Sequence, residues 1–221
     1  ITNTGAGTTI TLGALSGASG SVLRRGPTAS RTLTYRIGGK GTSTTFSGSI
    51  SEQGTGTITR IVKTGAGIWT LSGTCAHRGD TVVEAGTLAL ASTATLTQTA
   101  DLIVEAGATL DLQGANVTAS GITLAEVSTL NYSGGTLTGE ATLGGALTVN
   151  LTGIASGQTV IVIQNTAATP IAGLFTGKPE GSHLTSNGQT FRLSYLGGDG
   201  NGGVDFDGTD SRLDLSLYGA G

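Results

Sequence analysis

Two stretches decide how this sequence folds: Val83-Glu84-Ala85-Gly86-Thr87-Leu88-Ala89-Leu90 and, with one residue inserted, Val104-Glu105-Ala106-Gly107-Ala108-Thr109-Leu110-Asp111-Leu112. A looser third copy is Ala125-Glu126-Val127-Ser128-Thr129-Leu130-Asn131-Tyr132. The shared Leu falls at 88, 110 and 130, a step of 22 and then 20 residues, which is the length of one coil of a β-solenoid. Within each copy apolar and polar residues alternate, the period of a short strand with one face turned inward. Glycine between these strands supplies the positive backbone angles of a corner.

The composition fits that reading. Of 221 residues 39 are Gly and as many are Thr, against 3 Pro, 4% aromatic and 11% charged residues. Gly and β-branched residues disfavour helix. Collagen is excluded because Gly does not recur at every third position and Pro is scarce. A mean hydropathy of +0.15 argues for a packed interior rather than charge-rich disorder. The sequence predicts one all-β domain over 1–221, with divergent N-terminal coils in 1–43, the clearest repeats in 44–157 and a C-terminal segment in 158–221. Dividing the length by the repeat step predicts about ten short coils. No apolar run reaches the roughly 18 residues of a membrane span. The opening Ile1-Thr2-Asn3-Thr4 lacks the pattern of a signal peptide, so the chain reads as a mature or excised segment. The single Cys75 forms no internal disulfide.

Two regions resemble the autotransporter passenger-associated repeats, also called autotransporter-associated β-strand repeats. Thr44-Thr45-Phe46-Ser47-Gly48-Ser49-Ile50-Ser51, Lys63-Thr64-Gly65-Ala66-Gly67-Ile68-Trp69-Thr70-Leu71-Ser72-Gly73 and Val83-Glu84-Ala85-Gly86-Thr87-Leu88 follow the family's signature, TFSGxIS, KTGxGTLTLSG and VxxGTL, in order and spacing. The stretch from Gly173-Leu174-Phe175 to Asn187-Gly188-Gln189-Thr190-Phe191-Arg192-Leu193-Ser194-Tyr195 is similar to the ending of large secreted members. The resemblance implies a right-handed parallel β-helix, export to or beyond the surface of a Gram-negative-type cell, and a structural or adhesive role. Cys75-Ala76-His77-Arg78-Gly79 departs from the family's usual Asn-x-Tyr/Phe-x-Gly turn, and no outer-membrane barrel follows in this sequence.

Parallel β-helices include polysaccharide-cleaving enzymes, so the carboxylates require scrutiny. Glu84 and Glu105 are expected to stack on adjacent coils with Glu126 next, a ladder able to hold a cation or a shared proton. The plainer reading is a solvated outward column, and no enzyme activity is expected. Arg78-Gly79-Asp80, the tripeptide read by animal integrins, is expected to be an ordinary turn. His77 and His183 share no metal-site spacing with Cys75, which is expected to be a buried thiol. Gly197 to Asp205 partly matches the calcium nonapeptide, and Asp199, Asp205 and Asp207 are weak calcium candidates; no other cofactor is implied.

Charge is sorted along the chain. Residues 1–51 hold Arg24, Arg25, Arg31, Arg36 and Lys40 and no acid, whereas 193–221 hold Asp199, Asp205, Asp207, Asp210 and Asp214 against Arg212 alone. Strands Thr8 to Leu12 and Arg212 to Tyr218 both alternate and are expected to be open edges. The expectation is head-to-tail homopolymerisation, with Arg24, Arg25, Arg31 and Arg36 meeting Asp205, Asp207, Asp210 and Asp214. An excised stretch of a longer passenger is the competing reading. The function expected is an extracellular structural subunit of a surface fibre or matrix. A passenger fragment that binds glycan or host surface is the alternative, and Tyr35, Trp69, Tyr132 and Tyr195 are too scattered in sequence to show a sugar platform. A sequence pI of 5.2 argues against nucleic acid.

Overall fold

In the computed structural model, residues 7–24, 32–54, 56–155, 158–196 and 212–217 are described. The chain winds through strands coil by coil. The first coil holds β1 (Thr8–Leu12) and β2 (Val22–Arg24), the second β3 (Thr32–Ile37), β4 (Thr44–Phe46) and β5 (Ser49–Ser51), the third β6 (Ile58–Lys63), β7 (Ile68–Leu71) and β8 (Thr74–Cys75). Next come β9 (Thr81–Val83), β10 (Thr87–Ala91), β11 (Thr95–Val104), β12 (Thr109–Gln113), β13 (Asn116–Leu124), β14 (Thr129–Tyr132), β15 (Thr136–Leu143) and β16 (Ala146–Val149). The C-terminal part holds β17 (Thr159–Asn165), β18 (Ala172–Gly173), β19 (His183–Ser186), β20 (Gln189–Ser194) and β21 (Arg212–Leu217).

Strands from successive coils pair in parallel, making a β-solenoid of about 6 turns. One wall is β4-β7-β10-β12-β14-β16; a second runs β1-β3-β6-β9-β11-β13-β15-β17; the third, β2-β5-β8, joins the first half of β11. The register is the one the repeats predict, since Leu88 pairs with Leu110 and Leu110 with Leu130. These leucines are fully buried, each worth about 1.5–3 kcal/mol of apolar burial. Corners need left-handed backbone. Gly86 turns one at φ 66° and leaves no room for a side chain, because a Cβ there would stand 2.4 Å from the Gly65 carbonyl oxygen. Val127 makes the matching turn at φ 66° with its side chain exposed, a strained choice for a β-branched residue.

The count of about ten coils is corrected to about six turns, a parallel stack about 30 Å long. The first coils are longer than the repeats suggested: Thr8 pairs with Leu33, and Leu33 with Thr59. Beyond Gly173, where β18 still pairs in parallel with β15, the parallel path also ends. β17 pairs antiparallel with β21, β21 with β20 and β20 with β19. The expected open edge at Arg212 to Tyr218 is therefore overturned: β21 has a partner on each side, and β19 is the terminal strand of that sheet.

Candidate functional site

The richest chemistry among the described residues lies where the third coil meets its neighbours. Alternation along β6 turns Thr59, Ile61 and Lys63 inward. Lys63 is 1% exposed, and its ammonium donates to the carbonyls of Thr64 (2.9 Å), Gly65 (2.7 Å) and Ala85 (2.9 Å). Burial lowers its pKa. Every ammonium proton thereby finds an acceptor, and the corner after β6 is tied to the corner after β9.

The turn after β8 is held by ion pairs to the coil below. The Arg78 guanidinium bonds the Glu52 carboxylate and the Thr57 carbonyl (2.9 Å), and Asp80 pairs with Arg60 at 3.1 Å. Burial pushes the Glu52 carboxyl up, but hydrogen bonds from the Arg78 side chain and from the Thr59 and Arg78 backbone N–H groups hold it below its ordinary value. Gly79 packs so closely that a Cβ would lie 2.5 Å from the Thr59 carbonyl oxygen. Both charged arms of Arg78-Gly79-Asp80 are engaged within the chain. Beside them His77 is fully buried and reaches Thr81 Oγ1 at 2.8 Å through Nε2. Cys75 is buried as expected, and burial pushes its thiol up to about 12.

The three-carboxylate ladder does not form as expected. Glu84 and Glu105 follow the paired Val83 and Val104, but Leu124 opposite Val104 places Ala125 beside Glu105 and Glu126 one residue further on. Glu84 is also taken: Arg36 donates to it from both terminal guanidinium nitrogens, Nη1 at 2.7 Å from Oε1. This bridge crosses β6, where Val62 is 0% exposed. Among the described residues no group of three or more His, Cys, Asp or Glu gathers to hold a metal.

The predicted assembly residues separate. Arg24 is exposed on β2, Arg36 is ion-paired, and Asp214 is 1% exposed inside the C-terminal sheet, which removes it as a contact surface. Arg25, Arg31, Asp199, Asp205, Asp207 and Asp210 lie outside the described residues. The described aromatic side chains serve the interior. Trp69 Nε1 donates to the Leu15 carbonyl (3.1 Å), the Tyr132 hydroxyl to Gly135 (2.7 Å), the Tyr195 hydroxyl to Lys178 (2.7 Å), and Tyr35 is 6% exposed. Lys63 was the residue sequence reasoning missed. Its inward parity on β6 was readable, but not the three carbonyls that accept it.

Parallel coils with interior aliphatic rungs and internally paired polar groups define a β-solenoid repeat protein. Residues 61–90, the span that includes Lys63, the ion-paired turn and Gly86, match the passenger-associated-transport-repeat family, an autotransporter passenger repeat. That family implies a secreted or cell-surface location in Gram-negative bacteria. No curated protein and no solved structure matches the chain.

Proposed function

We propose that this chain is a non-catalytic structural segment of an extracellular fibre or matrix, a rigid spacer that holds other parts of a surface protein away from the cell. The observation that carries this reading is the continuous parallel stack from β3 to β16, in which each coil adds a rung to walls filled by buried aliphatic side chains. Arg36, Glu52, Arg60, Lys63, Arg78, Asp80 and Glu84 are used to fasten coil to coil. An adhesin stacking sugars would draw on exposed rings, yet the described Trp, Tyr and Phe residues are buried. A polysaccharide-cleaving enzyme would need converging carboxylates, and Glu84 is committed to Arg36.

End-to-end association is the finer part of the proposal. Among the described strands β1, with Arg24 exposed nearby on β2, is outermost at one end of the stack, and β19 is outermost at the other. Pairing of these edges between copies is heterologous and propagates. Light scattering and negative-stain microscopy across concentration and salt test it: particles that lengthen at low salt are expected, and monomers without fibres under every condition defeat it. A screen on acidic and neutral polysaccharides, with and without added calcium, tests the absence of catalysis, and release of new chain ends overturns it.

A further inference from the structure

We propose that the corner formed by Glu52 to Gly54, Thr57 to Arg60, Cys75 to Thr81 and Thr99 is an acid-sensitive joint, at which protonation of His77 frees the Arg78-Gly79-Asp80 turn from the coil below.

The direction of one hydrogen-bond chain sets up the joint. His77 Nε2 lies 2.8 Å from Thr81 Oγ1, Thr81 Oγ1 lies 3.0 Å from Thr99 Oγ1, and Thr99 Oγ1 lies 2.8 Å from the Gly79 carbonyl oxygen. A carbonyl only accepts and a hydroxyl has one proton to give. The Thr99 proton therefore goes to Gly79, the Thr81 proton to Thr99, and the proton between His77 and Thr81 belongs to Nε2. The ring is the Nε2–H tautomer and its Nδ1 lone pair is bare, fully buried and without a hydrogen-bond partner. The Thr59 hydroxyl in the same corner is buried and unpartnered as well. An acid proton must therefore land on Nδ1 and create a charge inside the coil, where no acceptor receives it.

Glu52 is the carboxylate whose field favours an imidazolium, and its side chain is 5% exposed and bonded to Arg78. Asp80 and Arg60 pair with each other, Lys63 is held by carbonyls further along β6, Asp101 is exposed on β11, and Arg24 lies on β2. Burial outweighs the Glu52 field and pushes the His77 ring down to about 4. An exposed imidazole titrates near 6.5. The closed corner thus refuses a proton that the open corner accepts. The corner is at full stability above about pH 6.5, and its open fraction rises about tenfold for each pH unit between there and about 4. The joint works the same whether or not the ends of the rod assemble.

Amide hydrogen exchange on the whole chain, corrected for intrinsic rates, tests the joint. Protection of residues 57–59 and 76–81 is expected to fall roughly tenfold per pH unit below about 6.5, while residues 102–132 hold theirs. His77→Gln offers an N–H to Thr81 without titrating, and its profile is expected to be flat. A flat wild-type profile, or the wild-type slope retained in the Gln variant, overturns the proposal. Should the variant fail to fold, nitrogen NMR of the wild-type ring decides: a neutral Nε2–H ring down to pH 5 is expected, and an Nδ1–H tautomer or titration near 6.5 overturns it.

Discussion

The coils from β3 to β10 and those from β11 to β16 share one architecture and hold it together differently. A single inward column runs through both as Ile37, Lys63, Val83, Val104, Leu124 and Leu143. In the upper coils its members are aliphatic and interchangeable. In the lower coils the same column admits a buried ammonium, and the surrounding corners add a buried imidazole and three ion pairs that each link residues at least 20 apart. One wall of rungs is therefore compatible with two kinds of fastening, generic apolar contact and singular polar keys. The repeat family match at 61–90 falls on the keyed part.

The sharpest test of that contrast is steric. Gly86 and Gly107 both turn corners with positive φ, but a Cβ at Gly86 meets backbone at 2.4 Å and one at Gly107 meets nothing within 4 Å. Gly86→Ala is expected to lose about 3–5 kcal/mol and Gly107→Ala about 1–2 kcal/mol in urea unfolding. Equal losses would erase the distinction. Next comes the shared column. Lys63→Met strips three carbonyls of their donor and is expected to cost about 3 kcal/mol, whereas Val104→Met is expected to cost less than about 1.5 kcal/mol.

A smaller effect has the opposite sign. Val127→Gly relieves a left-handed turn at a side chain that is 77% exposed, and the melting temperature is expected to rise with a net gain of about 0.5–1 kcal/mol. The smallest belongs to the half-exposed ion pairs: Asp80→Asn is expected to cost under about 1 kcal/mol, an effect that shrinks further in high salt. A larger, salt-insensitive loss would show that the turn depends on that pair.

The central coils were legible because Leu88, Leu110 and Leu130 recur beside turn residues, and spacing alone sets their register. The ends were not. Arg212 to Leu217 alternates, but alternation is the same for an edge strand and an inner one, and for parallel and antiparallel neighbours. The better clue was Asn187-Gly188, whose positive φ values of 48° and 77° make the β19–β20 hairpin. Charge sorting along the chain was real as sequence, but contacts between distant residues redistribute it: Arg36 is spent on Glu84, 48 residues away, and Asp214 is buried. The orphaned nitrogen of His77 depends on four groups from two chain segments, His77 to Thr81 and Thr99 on the next coil, a relation that no local pattern encodes.

The reversal of strand direction after β17 bears on how such a molecule changes over generations. Inside the stack each coil meets a parallel neighbour above and below, so a gene duplication or deletion of one repeat leaves every remaining interface of the same kind. At the antiparallel end a copied coil would face strands running the wrong way. A copied or lost repeat is therefore better accommodated within the parallel stack, and the aliphatic coils between β11 and β16 are where added or missing repeats are expected to accumulate.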